Sequence, residues 1–236
     1  NHFENGLKTG VDSIFYPNGN LKEIQAYKKN KKLGVYKTFY ESGELNYKGF
    51  KDSIGYYDSL YVYYENQDKK RIAKYVNNKI IGDLSVYYKD NQLKSSVSYN
   101  NGYREGESIT FYPSGKIAQY GNYVKGLRVG VWKSYYVNGS LFSKGHYNVN
   151  KFNGYWYLYY PNGVIKQVGE YMNGKPVGKW NFYYNNGDLQ YSGRYNNGRK
   201  NNLWTWFNQQ GDIIQKAIYL NSKILKITQS PQEISE

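Results

Sequence analysis

The chain contains no cysteine, two histidines and a single methionine. Without cysteine there is no disulfide framework and no thiolate metal site, although this absence suits either redox compartment. Acid is also scarce: 18 Asp+Glu stand against 32 Lys+Arg, a formal net charge of +14. The carboxylates are scattered singly, without the paired spacing that acid–base catalysis uses. No serine sits in a nucleophile-elbow pattern, and no glycines form a phosphate-cradling loop that opens a helix. His2 lies in the N-terminal tail, and His146 takes a slot that Glu170 and Arg194 fill in later units, so it reads as an ordinary surface histidine. No apolar run approaches the roughly 18–20 residues needed to cross a bilayer. These absences argue against an enzyme and leave no catalytic residue, metal site or cofactor to assign.

What is abundant is tyrosine, with 31 residues in a chain whose aromatic content is 19% and hydrophobic content 39%. Burial therefore falls to amphipathic rings whose hydroxyl tips can stay wet, which suits a thin, half-solvated sheet better than a thick aliphatic core. The rings recur with an unbroken 24-residue period: Gly10, Gly34, Asp58, Gly82, Gly106, Gly130, Gly154, Gly178 and Asn202 are in phase. Five residues after each stands Phe15, Phe39, Tyr63, Tyr87, Phe111, Tyr135, Tyr159, Tyr183 or Phe207, followed by tyrosine in every unit but the last. A strict period marks a repeat architecture, in which units build an extended surface rather than one unique constellation.

The unit Gly154–Val177 carries two aromatic or β-branched stretches, Tyr155–Tyr160 and Val164–Tyr171, followed by Asn162-Gly163 and Asn173-Gly174. Asn-Gly between such runs predicts β-hairpins with two-residue type I′ turns. With Asn162-Gly163 as the loop, Tyr160 falls opposite Ile165, Trp156 opposite Gly169 and Gly154 opposite Tyr171. A large ring then covers bare glycine backbone on its hairpin partner. The expected fold is all-β: an elongated, twisted, single-sheet antiparallel meander of about nine hairpin repeats, roughly 85 Å long at the usual strand spacing. Residues 1–9 read as a partial N-terminal repeat, 10–225 as the nine-unit array, and 226–236 as a polar C-terminal tail that frays. The unit Asp58–Ile81 is the divergent one, lacking the first Asn-Gly and both framework glycines (Asp58, Ala73).

Alternation places Trp156, Tyr160, Ile165 and Tyr171 on a packed face. Tyr159 and a series of lysines fall on a wet face. The candidate binding residues are the rings Tyr63, Tyr87, Tyr135, Tyr159 and Tyr183 with Lys70, Lys74, Lys94, Lys133, Lys144, Lys166 and Arg194. A solvated basic face and a docking surface for something acidic both explain this pattern.

The pattern G-x-W-x-x-Y-Y-x-N-G-x-L…G-x-Y-x-N-G in Gly130–Asn153, Gly154–Val177 and Gly178–Asn201 resembles the MORN repeat family, in its bacterial YwqK-type variant. That resemblance implies a non-enzymatic ribbon of hairpins, with antitoxin, membrane-attachment and scaffolding roles among its relatives. The sequence therefore reads as a protein-binding module or scaffold whose partner has an acidic surface, either a toxin-neutralising protein or a subunit of a cell-envelope complex. Carbohydrate or cell-wall binding through exposed rings is the second reading. Binding of anionic lipid or nucleic acid through the basic face is the third. An exported or cell-envelope location is favoured over the cytoplasm, because the repeat style and the missing initiator methionine lean that way.

Overall fold

The computed structural model describes residues 2–51 and 57–229. The fold is all-β: twenty strands run from His2–Glu4 to Lys223–Gln229, with no helix among the described residues. The chain divides into two compact units, Asn1–Gly115 with Tyr123–Gly126, and Lys116–Asn122 with Leu127–Glu236. Both are antiparallel meanders of hairpins on the same 24-residue plan.

In the second unit, Lys151–Tyr159 pairs with Ile165–Met172, which pairs in turn with Lys175–Tyr183. The two Asn-Gly turns of this repeat differ. Asn173 (φ 52°) and Gly174 (φ 82°) both take left-handed conformations and close the pair Met172–Lys175. That is the expected type I′ turn. At the other end only Gly163 is left-handed (φ 87°), the Gly163 N–H bonds the Tyr160 carbonyl (2.9 Å), and the Tyr160 N–H bonds the Val164 carbonyl (2.8 Å). This is a three-residue loop, Pro161-Asn162-Gly163, rather than a two-residue one. Proline suits its first position, and Asn162 Oδ1 accepts the Val164 N–H at 3.1 Å.

The longer loop shifts the nearby register by one. Tyr159, not Tyr160, lies opposite Ile165, while Leu158 lies opposite Gln167, leaving Lys166 as a one-residue bulge. Beyond it the expected pairs hold: Trp156 opposite Gly169 and Gly154 opposite Tyr171. Cross-strand partners share a face, so Ile165 joins Tyr159 on the face opposite Trp156. The divergent repeat keeps this loop without its glycine. Gln67 takes the left-handed position (φ 68°), and Tyr64 bonds Asp68 as Tyr160 bonds Val164.

Each of the four periodic tryptophans, Trp132, Trp156, Trp180 and Trp204, lies over a glycine, but over the glycine of the preceding hairpin. A Cβ on Gly145 would stand 2.0 Å from Trp156, and one on Gly169 would stand 2.0 Å from Trp180. The expected cover within one hairpin is thus replaced by a roof between hairpins. The indole Nε1 fixes it by donating to a carbonyl ten residues back, Trp156 to His146 (3.0 Å) and Trp204 to Arg194 (3.2 Å). Trp204 is fully buried as a result. Gly154 serves another purpose, since a Cβ there would meet nothing while its φ is 71°. It sits where the register with the preceding strand slips from Gly145–Trp156 to His146–Asn153.

The first unit satisfies the same geometry with smaller groups. Leu84 takes the indole's place next to Ala73, following the pair Ile72–Ser85, and Ser108 faces Val97. A smaller roof meets a larger floor, as close packing demands. The periodic second tyrosine supplies a further tie within each unit. The hydroxyl of Tyr16 donates to the Phe39 carbonyl (2.9 Å), Tyr40 to Tyr63 (2.8 Å), Tyr136 to Tyr159 (2.8 Å), Tyr160 to Tyr183 (2.8 Å) and Tyr184 to Phe207 (2.8 Å). Each bond runs from one repeat to the next.

The first residues of the expected polar tail, from Lys226, are part of a strand. Lys226 and Ile227 belong to the strand Lys223–Gln229 and lie opposite Ile218 and Ala217. The remainder, 230–236, lies outside the described residues.

Candidate functional site

The predicted ring residues form one row per unit beside the first loop. Tyr63 lies opposite Lys69 and Tyr87 opposite Leu93. In the second unit Tyr135 lies opposite Leu141, Tyr159 opposite Ile165 and Tyr183 opposite Leu189. Burial raises the Tyr159 hydroxyl pKa above its ordinary value, with Tyr157 adding a smaller push. The row is a ring-and-aliphatic stripe rather than a line of isolated wet rings.

The bulge separates the basic residues into two sets. Lys70, Lys94 and Lys166 are the extra residues, and each Nζ swings over the tyrosine of its own loop, 5.4 Å from the ring centroids of Tyr64, Tyr88 and Tyr160. Cation–π contact, not a shared face with Tyr159, is what positions them. Lys74 stands between Ser59 and Ile81. Lys133 lies directly opposite Lys144, which also neighbours Tyr157, and Arg194 lies opposite Lys179. Lys37 and Lys48 repeat the arrangement in the first unit. Like charges directly opposite are destabilising by roughly 0.2–1 kcal/mol. Among the described residues none of these six is in an ion pair, and Lys144, Lys179 and Arg194 are exposed.

On the opposite face of the second unit, cations of the chain sit on the tryptophan roof. The Arg128 guanidinium lies 4.6 Å from the Trp132 ring and 5.4 Å from Tyr147. Lys200 lies 4.4 Å from Trp204 and 5.3 Å from Tyr219, and burial pushes its pKa down. Along this face a row crosses the strands as Ser134–Ser143–Leu158–Gln167–Phe182–Tyr191–Trp206. Phe182 and Tyr191 stack at 4.2 Å, and Trp206 continues the stack at 6.2 Å. At the serine end the row is vacated and leaves an open concavity of about 260 Å³ against Trp132 and Trp156. Neither Lys179 nor this depression stood among the predicted site residues. The break in ring size at Ser134 and Ser143 was its signal, and the register expected from the turns already puts the two serines side by side.

The MORN repeat variant profile matches seven segments: 8–29, 32–50, 81–101, 104–125, 128–148, 152–173 and 176–197. The chain belongs to the MORN repeat variant family. The divergent repeat Asp58–Ile81 falls almost wholly between the matched MORN segments, and the repeat from Asn202 lies beyond the last of them. The repeat at 81–101, whose first loop is Lys89-Asp90-Asn91-Gln92 without Asn-Gly, is matched. No curated protein matches the chain. Solved structures similar to this MORN chain include TcdB2–TccC3, at 11% identity and TM-score 0.23 over 89% of this chain and 14% of that one. The Tc holotoxin pore of Photorhabdus luminescens gives 13% identity and TM-score 0.17 over 89% and 13%. The MORN chain spans about 14% of the length of the first of these, and likeness at this level carries no argument. Among the described residues no group of three or more His, Asp or Glu is placed to hold a metal ion, and no helix is long and apolar enough to cross a membrane.

Proposed function

We propose that this MORN chain is a non-enzymatic binding scaffold that docks a protein with an acidic surface on the face carrying Lys133 and Lys144. The observation that supports it is the pairing of like charges on adjacent strands without an acidic partner beside them. Such a pair costs folding energy, and a carboxylate-bearing partner offsets that cost on binding. Tyr157, adjacent to Lys144, adds the kind of ring enriched at interface hot spots. In the bacterial YwqK-type setting that the sequence resembles, the partner is a toxin to be neutralised or another subunit of a cell-envelope complex.

The test is affinity capture from native lysate in about 0.1 M salt, where surface charges still act over roughly 10 Å. A stoichiometric partner is to be identified, purified and rebound. The reading expects the K133E/K144E variant to lose that partner while keeping its β-sheet circular dichroism. Capture of no stoichiometric partner, or equal binding by the charge-reversed chain, overturns it.

A further inference from the structure

The concavity beside Ser134 and Ser143 lies on the opposite face from the lysine pairs and is independent of the protein-docking reading. We propose that it binds one neutral pyranose residue of a glycan.

Its volume, about 260 Å³, falls just below the roughly 300–1,000 Å³ of drug-sized ligand sites. It is the space that Phe182 and Tyr191 fill with stacked six-membered rings two hairpins on. A single six-membered ring is the fitting occupant. Every lining side chain is uncharged, in a chain with 32 Lys+Arg and 18 Asp+Glu. The equivalent row of the first unit carries Glu23 and Arg71. The cation on this face, Arg128, does not line the hollow and is engaged with the Trp132 and Tyr147 rings and the Tyr147 hydroxyl (3.2 Å), so a neutral occupant fits best.

The walls have two chemistries. Trp156 and Phe142 supply apolar ring surface over the buried Trp132 (3% exposed), while Ser134, Ser143 and Gln167 supply hydroxyls and an amide. Gln119 Nε2 donates to Ser134 Oγ at 3.2 Å, which leaves the serine hydroxyl free to donate onward. A phenyl ring would strip water from these polar groups and return no hydrogen bond. A pyranose has one C–H face to lay on the indole and a rim of hydroxyls for the serines and the amide.

The test titrates the full chain with cellotetraose, maltotetraose and chitotetraose, read by tryptophan emission and calorimetry at 0.15 M and 1 M NaCl. One of the three is expected to saturate, with an affinity that salt leaves within about twofold because no phosphate or carboxylate contact is involved. Ser143→Tyr restores the ring present at Tyr191 and should weaken binding at least ~10-fold, about the effect of blocking one bidentate or stacked contact. Gln167→Leu keeps the shape and removes the amide, so it tests the site even if the tyrosine variant folds poorly. It should weaken binding ~5-fold or more, the usual loss for one hydrogen bond. The proposal fails if no saccharide saturates, if Gln167→Leu binds as the parent does, or if N-acetyl-tyrosinamide saturates the site in place of every sugar. K133E/K144E should bind the sugar normally, so failure of the docking reading leaves this one standing.

Discussion

Gly169→Ala isolates the tryptophan roof from every other role glycine plays in this chain. Gly169 has an ordinary φ, and a Cβ there would lie 2.0 Å from Trp180 Cδ2. Ordinary contact begins near 3.4 Å, so the indole must lift by more than an ångström. Lifting it breaks the Nε1–H bond to the Glu170 carbonyl (3.3 Å) and opens the edge-to-face contacts with Tyr171 (5.0 Å) and Tyr195 (5.7 Å). Overpacking costs about 1–3 kcal/mol, the hydrogen bond about 1 kcal/mol, and a ring pair about 1 kcal/mol, so a loss of about 3 kcal/mol is expected. Urea unfolding followed by circular dichroism measures it, and the decisive comparison is a double-mutant cycle with Trp180→Leu. In this chain Leu84 already follows Ala73 in the equivalent place, next in register after Ile72–Ser85, so the alanine should cost under about 0.5 kcal/mol once the indole is gone. An equal cost in both backgrounds would refute the roof as the reason for glycine. Gly163→Ala is the matched control: its Cβ meets nothing, and only its left-handed φ should matter, at about 1–2 kcal/mol.

Tyr160→Phe removes the hydroxyl bond to the Tyr183 carbonyl without changing ring packing. It should cost about 1 kcal/mol and speed amide hydrogen exchange in Lys175–Tyr183, as read by mass spectrometry. Unchanged exchange there would show that the ring alone joins the repeats. Burial raises the hydroxyl pKa of Tyr171, Tyr191 and Tyr195, as it does that of Tyr159. A group raised in the folded state contributes stability that is complete below its unfolded pKa, near 10, and is lost as pH climbs through the folded value. Lys200, lowered by burial, acts oppositely and gains stability between its folded and unfolded values. Four tyrosines outnumber one lysine, so urea midpoints should hold to about pH 10 and fall beyond it. Tyr171→Phe/Tyr195→Phe should make that fall shallower, and an unchanged slope would reject the assignment.

Much of the fold was legible because alternation and period are properties of sequence spacing. Trp156 opposite Gly169 and Gly154 opposite Tyr171 follow from counting residues between turns. The first loop was not legible, because Asn-Gly admits two geometries. The choice depends on Asn162 bonding Val164 and, through Nδ2, the Asn185 carbonyl of the next repeat at 2.7 Å. A partner in the following repeat is invisible to a reading that treats one hairpin at a time. The direction of the indole was hidden for the same reason: Trp156 has a glycine on either flank, and spacing alone does not say which it covers. Misreading the loop also misassigned Lys70, Lys94 and Lys166, since an extra residue turns a side chain to the other side. The serine pair of the groove followed from the expected register, but the indoles beside it did not, because their direction depends on the preceding hairpin.

The forward-reaching tyrosine hydroxyls make the chain a modular object whose size is quantised. Hydroxyl, indole and bulge each engage a neighbour at a fixed offset, so a single inserted residue would throw all three out of phase at once. Removing or adding a complete module disturbs only one junction. The sequence of hydroxyl bonds is also directional, and it stops where Asn208 replaces tyrosine and turns its amide inward to Asp212 at 3.1 Å. A tyrosine at that position would offer its hydroxyl to a following module as the others do.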